Sequence, residues 1–408
     1  MKILFYNHTG TVSGAERVLM MILGGLDRDA YESVVVCPAA SGMMALAHSA
    51  NIRTLGLSQL EARFTWRIDR IFKYLASFAG VIGQARRIIK EEHPDLIHAN
   101  SIRAGLVMSI ATIGLDAPVV WHGHDVLPLH PLSTLVRLVA LLTSRNHILA
   151  VSHAVASGFR GILLQPFRRR VPITVIHNSV DLDRFQPNKA VRKEARSALR
   201  LSENQPVIGI VGQLTPRKGQ LELVRAFARV AQKTPDAVLL IVGEALFNRD
   251  EEYASQIANA VKSLGLTNRV RLLGARDDVP ELIQALDVLV VNSYQEPFAL
   301  TVLEGLASGV TVLATAVGGT PEMIQHNVNG WLVKSRDQNE LESGLTSLSS
   351  DNALRARLGS RARLDAIAQY SIPRYLTEMN SLYRHILSRG KTPHAKNVRG
   401  FAVKLSAD

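Results

Sequence analysis

Residues 296–309 read EPFALTVLEGLASG, and two carboxylates, Glu296 and Glu304, bracket a run that otherwise has the composition of core. Eight residues turn a straight helix by about 800°, so these two side chains would lie about 80° apart on one helix. Pro297 resolves the mismatch, because a helix must begin after it. Glu296 then sits in a loop, Glu304 sits inside the helix, and the amides of Phe298, Ala299 and Leu300 are left without helical partners. Two acids and a set of free amides suit a ligand that carries both hydroxyls and an anionic group. A local alternative stays open: Thr301-Val-Leu-Glu304 also fits the S/T-x-x-E capping box, which would occupy Glu304 at the helix start.

Other stretches could meet the same ligand. VGQLTPRKGQ (211–220) places Arg217 and Lys218 where a helix begins. Cations there oppose the helix dipole, a local inconsistency that points to a purpose such as holding a diphosphate. The order G-x-x-x-x-G-K-[ST] is not met, so this is no P-loop. TGTVSGAERVL (9–19) follows the first apolar run, and its Gly10 and Gly14 would let backbone approach a ligand before a helix opens near Ala15. It is not a G-x-G-x-x-G fingerprint, which argues against a dinucleotide. WHGHD (121–125) offers His122, His124 and Asp125, a weak metal set without a third ligand at site-like spacing, and better suited to hydrogen-bonding a substrate. The acid pairs Asp27/Asp29 and Asp181/Asp183 read as ordinary turn residues, so no metal site is expected.

The elements that position these residues form a regular rhythm. Strand candidates are 2–8, 33–38, 95–100, 118–123, 147–152 and 173–178, then 207–212, 237–243, 269–274, 288–293 and 310–315. Amphipathic segments separate most of them, which is the pattern of βαβ units in parallel sheets. The rhythm pauses at 179–205, a polar stretch with Pro187 and room for a helix, so the expected class is α/β with two doubly wound domains split near residue 190. In such sheets ligands bind beyond the carboxyl ends of the strands, where every motif above falls. The tail from about 390 lacks periodicity and is expected to be poorly ordered.

Length and composition agree. The chain has 408 residues, enough for two cores, with 47% hydrophobic and 20% charged residues. Its one cysteine, Cys37, excludes an internal disulfide and favours the cytoplasmic side. No apolar stretch has the length of a membrane span. The net charge of +12 calls for an anionic partner. Nucleic acid is disfavoured, because no zinc spacing, recognition helix or aromatic platform is seen. Residues 63–90 could form a helix with apolar Phe64, Ile68, Ile71, Leu75, Phe78 and Ile82 and basic Arg63, Arg67, Arg70 and Lys73, a pattern compatible with an anionic membrane surface or with core packing behind a basic rim.

Taken together, the motifs resemble glycosyltransferase family 4, retaining enzymes of the GT-B fold. Carrying the resemblance are the Glu296-x7-Glu304 element, GAER (14–17), WHGHD with His122, VIHNSVDLDRF (175–185), Lys218-Gly219 and VGGTPEMI (317–324), over about residues 2–385. It implies two Rossmann-like domains facing a cleft: an acceptor-binding domain, 1–188, and a nucleotide-sugar domain, 189–371, with a last helix at about 372–388 returning to the first. It implies that Lys218, helped by Arg217, holds the donor diphosphate; that Glu296 contacts the donor sugar; that Phe298, Ala299 and Leu300 offer amides; that Glu304 bonds the ribose; that Gly14 and Gly212 admit the phosphates; and that His122 lies near the reacting sugar. Gln213 stands where the family often has arginine, and Ala299 where it commonly has glycine. The implied reaction is retaining transfer from a nucleotide-diphosphate sugar, a UDP- or GDP-sugar, to a glycan or lipid-linked acceptor, without cofactor or metal, at the inner face of a membrane. A catalytically silent nucleotide-sugar binder and a sugar-nucleotide epimerase of the same architecture are the alternatives.

Overall fold

A computed structural model describes residues 1–60, 68–128, 130–141, 145–160, 171–246 and 248–390. It contains two all-parallel sheets. The first comprises β1 (Lys2–Tyr6), β2 (Glu32–Pro38), β3 (Arg53–Leu57), β4 (Leu96–Ala99), β5 (Val119–Gly123), β6 (Asn146–Ala150) and β7 (Ile173–Val175), in spatial order 3-2-1-4-5-6-7. The second comprises β8 (Val207–Val211), β9 (Val238–Val242), β10 (Val270–Leu272), β11 (Val288–Val291), β12 (Thr311–Thr315) and β13 (Trp331–Val333), in order 10-9-8-11-12-13. Both are doubly wound Rossmann-like sheets. Continuous apolar strands such as SVVVC and VLLIV follow from helices covering both faces.

Two strands escape the sequence pattern. Both are edge strands: β3 is half exposed along its length, and β13 has three residues. An edge strand buries less and needs no continuous apolar run. The polar stretch at 179–205 contains the helix Lys189–Ala198. The final helix, Ile372–Gly390, packs Tyr375, Met379 and Tyr383 against Ile3, Phe5 and Leu19 of the first half.

The order of each sheet reverses direction beside its first strand, between β1 and β4 and between β8 and β11. Chain leaving those strands enters a cleft of about 580 Å³ between the two sheets. His8 and Asn100 reach it from the first sheet, Gly212, Gln213 and Glu296 from the second. Among the described residues no helix is long and apolar enough to cross a membrane. Of the basic amphipathic segment, residues 61–67 lie outside the described ones, as do residues 391–408 of the tail. The helix over the remainder runs Ile68–Glu92. Its Val81, Ala85 and Ile89 are buried, whereas Leu75 is exposed.

Candidate active site in the interdomain cleft

At the centre of the second-sheet wall, Lys218 Nζ lies 2.6 Å from Glu296 Oε2. Ser293 Oγ donates to the same oxygen at 3.0 Å, and Arg217 Nη1 lies 3.9 Å from it. Glu296 is buried, so its carboxylate depends on these partners. Lys218 closes a short 3₁₀ turn, Pro216–Lys218. Gly219 follows at φ +66°, where a Cβ would come within 2.4 Å of the Asn292 carbonyl oxygen. Glu296 is fixed from behind by Gly318 and Gly319. The Gly319 amide donates to the Glu296 carbonyl at 3.0 Å, and a Cβ on Gly318, at φ +54°, would sit 1.8 Å from that oxygen. Only glycine serves at such a position.

The helix after Pro297 runs Leu300–Ala307 with Ala299 at its N-cap. It starts three residues after Pro297. Thr301 is inside it and makes no cap, so the capping-box alternative fails. Glu304 stands in the second turn and lines the cleft. Among the described residues its carboxylate has no hydrogen-bond partner; burial raises its pKa, while Arg17 and Arg184 pull it down. Among the described residues the amides of Phe298, Ala299 and Leu300, all of which line the cleft, have no hydrogen-bond partner. The Phe298 side chain is engaged elsewhere, stacked on His177 with centroids 4.8 Å apart. Ala299 has φ −68°, so alanine replaces glycine there without backbone strain.

Across the cleft, the helix Gly14–Gly25 opens with Ser13 at its N-cap, and Ser13 N donates to Glu16 Oε2 at 2.9 Å. Gly14 is exposed in the cleft; a Cβ on it would meet only Leu300, at 3.5 Å. Two helix amino ends, one from each sheet, therefore face each other. Both carry free amides and partial positive charge, a field that favours an anionic group between them. Gly10 proves different from Gly14. It is absent from the cleft wall, and a Cβ there would strike Ser41 at 2.6 Å, so packing against the neighbouring loop explains it.

Gly212 and Gln213 line the cleft. The Gln213 side-chain amide, however, donates to Asp250 at 2.9 Å, and the Gln213 backbone carbonyl accepts from the Gln220 side chain at 2.8 Å. It is committed to protein groups. His122 is fully buried, with its ring behind the cleft wall and not part of its lining. His124, two residues on and past the strand end, lines the cleft, with its ring 3.9 Å from that of His122. Sequence reasoning passed over Arg17, Arg276 and Asn178, which also line the cleft. Arg17 carried a readable signal, since it is a cation in the first turns of a helix like Arg217 and Lys218. The acid pairs are turn residues: Asp27 Oδ1 accepts from the Asp29 amide, and Asp181 Oδ1 from those of Asp183 and Arg184.

With this geometry in place, comparison with known proteins gives the same answer for both halves. A family model described as Glycosyltransferase Family 4 matches residues 12–184. One described as Glycosyl transferases group 1 matches residues 191–365. The chain belongs to glycosyltransferase family 4. Similar proteins include N-acetyl-alpha-D-glucosaminyl L-malate synthase of Bacillus anthracis, 25% identical over 327 residues, covering 79% of this chain and 82% of the relative. UDP-Gal:alpha-D-GlcNAc-diphosphoundecaprenol alpha-1,3-galactosyltransferase of Escherichia coli is 25% identical over 318 residues, covering 73% and 77%. Among solved structures, Anabaena HepE in complex with UDP superimposes with a TM-score of 0.79 at 27% identity, covering 94% of this chain and 100% of that one. This family 4 chain is thus a GT-B glycosyltransferase, with its Lys218–Glu296 pair and Glu304 on the wall formed by the second half.

Proposed function

We propose that this glycosyltransferase moves a sugar, with retention, from a nucleotide-diphosphate sugar to a glycan or lipid-linked acceptor. The observation that carries the proposal is the meeting of two helix amino ends across the cleft, beside the Lys218–Glu296 pair. A donor of this class has a diphosphate for the amides and cations and sugar hydroxyls for a carboxylate. Breaking the anomeric C–O bond moves negative charge onto the diphosphate. Lys218, Arg217 and the free amides at 298–300 stabilise that charge where it develops. Glu296, held by Lys218 and Ser293, is placed to accept hydroxyl hydrogen bonds rather than to attack. Glu304 accepts from the ribose. The acceptor enters on the leaving-group face, and a diphosphate oxygen takes its proton, so no metal and no separate base is assigned. HepE binds UDP and UDP-glucose, which favours a uridine donor here; the E. coli relative acts on a diphosphoundecaprenol-linked sugar, which favours a lipid-linked acceptor.

A thermal-shift screen against UDP-, GDP- and ADP-sugars tests donor binding, since a ligand at 100 times its Kd adds about 2.7 kcal/mol of stability. Lys218→Ala and Glu296→Ala are expected to lower transfer by about 10²–10³-fold in a folded protein. Near-wild-type rates would sink the assignment, and product isomerisation in place of transfer would make it an epimerase. Leu75, Leu132, Leu135 and Leu138 of the first half are exposed, at 60, 52, 57 and 46%. With the surplus of positive charge they support contact with an anionic membrane, which co-sedimentation with anionic vesicles at low and high salt would detect.

A further inference from the structure

Behind the first-sheet wall of the cleft, a row of hydrogen-bonding rings runs from the final helix to strand β5. Tyr383 Oη lies 2.8 Å from His98 Nδ1. His98 Nε2 lies 3.1 Å from His122 Nδ1. All three residues are fully buried. The row ends at His122 Nε2, which is buried and has no hydrogen-bond partner among the described residues. Directly against that ring lies His124, which lines the cleft.

The bonds in this row are not independent. Burial holds His98 down to about 3 and His122 well below its ordinary value, so each ring is neutral and carries one proton. Placing one proton places the other. The Tyr383 hydroxyl has no second acceptor among the described residues. Leaving a buried donor unmade costs about 1–3 kcal/mol. Tyr383 therefore donates to His98 Nδ1, His98 keeps its proton on Nε2 and donates it to His122 Nδ1, and His122 keeps its own proton on Nε2. The opposite polarity reverses both bonds and strands the phenolic proton. The unpartnered atom at the end of the row is thus a buried N–H donor, free to bond a ligand group that reaches it.

We propose that Tyr383 and His98 are positioning residues that lock His122 in the Nε2–H tautomer, giving strand β5 a fixed hydrogen-bond donor for a hydroxyl of the bound sugar. The proposal rests on the glycosyltransfer reading. It requires the His124 ring to turn aside, and that ring is only partly buried, held by its packing on His122 and by one hydrogen bond, 3.2 Å from Nε2 to Asn100 Oδ1. It also gives the final helix a role in the site. Tyr383 arrives on the segment that returns from the second half of the chain, so the proton position on a histidine beside the cleft depends on that helix being docked.

Nitrogen NMR of histidine-labelled protein reads the tautomers directly. The expected result is Nε2–H for both His98 and His122, unchanged between pH 5 and 8. Tyr383→Phe should convert His122 to a tautomer mixture and lower kcat by about 10²-fold with donor affinity retained, the cost of a misdirected hydrogen bond. His98→Gln keeps an acceptor for Tyr383 and a donor for His122, and should retain activity that His98→Leu loses. An Nδ1–H tautomer at His122 in the native protein overturns the proposal. So does a Tyr383→Phe protein with His122 unchanged, or His98→Gln falling as far as His98→Leu. Should Tyr383→Phe not fold, the native spectrum and the His98 pair still decide. If no sugar nucleotide is turned over, the transfer reading fails alone, because the spectra judge the relay without activity.

Discussion

Glu304 stands in the second turn of the helix Leu300–Ala307 with no described group bonded to its carboxylate. Burial raises its pKa, and this outweighs the opposing pull of Arg17 and Arg184. A carboxyl whose pKa is raised by folding holds its proton more tightly in the folded protein than in the unfolded one. Stability is therefore lost as pH rises through the window between the ordinary value of 4.5 and the raised one, and the full cost persists above it. Glu304→Gln removes that cost. The variant should melt higher than the native protein at pH 7, with the gap closing below the unfolded pKa, while the proposed ribose contact weakens as a charged acceptor is exchanged for a neutral one and nucleotide-sugar affinity falls. A variant with unchanged melting at pH 7 would show that the carboxylate is already satisfied. At this scale the sequence was most informative where a residue broke a local rule. Lys218 and Arg217 beside a helix start, and Glu296 ahead of Pro297, were out of place for any structural purpose. His122 and His124 broke no rule, and their two-residue spacing puts both on one side of β5. Which of them reaches the cleft depends on where the strand ends.

Among the elements, the helix His153–Arg160 shows how the halves are joined. Its amino end is capped from the other half of the chain: the His153 and Ala154 amides donate to Glu322 at 2.8 and 2.9 Å. His177 Nε2 lies 2.9 Å from the same carboxylate. Ser152 Oγ adds a bond to the Pro297 carbonyl at 2.8 Å, next to Glu296. One acid thus ties the first sheet to the loop that supports the site. Glu322→Ala leaves two amides uncapped and should lower unfolding free energy by about 2 kcal/mol, typical for bonds to a charged acceptor. It should also increase the radius of gyration in solution scattering as the halves separate. An unchanged urea midpoint together with an unchanged radius would refute the tie. This contact was not legible from residues 317–324, although the motif was, because no local pattern tells a carboxylate which remote helix it will meet. The strands were legible for the opposite reason. Central parallel strands must be apolar on both faces, and the two missed, β3 and β13, are among the four edge strands, to which that demand does not apply.

For the molecule as a whole, the chain order of the two halves leaves one dependence that neither sheet carries by itself. The first sheet is complete by Val175, yet its core is finished by Ile372–Gly390, after the second sheet has been made. Tyr375, Met379 and Tyr383 are fully buried there against β1 and the helix Gly14–Gly25. Burying one large apolar side chain contributes about 1.5–3 kcal/mol. Three of them contribute roughly 5–9 kcal/mol, comparable to the whole stability of an ordinary domain, about 5–15 kcal/mol. The second half has no such debt to the final helix, since neither of the two core clusters its residues join contains a side chain of that helix. Ending the chain after Ser371 should therefore unfold the first half selectively. Limited proteolysis is expected to digest residues before about 185 while a fragment beginning near residue 189 survives, and nucleotide binding should weaken without disappearing, because Lys218, Glu296 and Glu304 remain on the surviving half. A truncated chain that melts in one transition at the native midpoint would show instead that the first half is stable without its returning helix. In that case the link from Tyr383 to the cleft would regulate the site without holding up the fold.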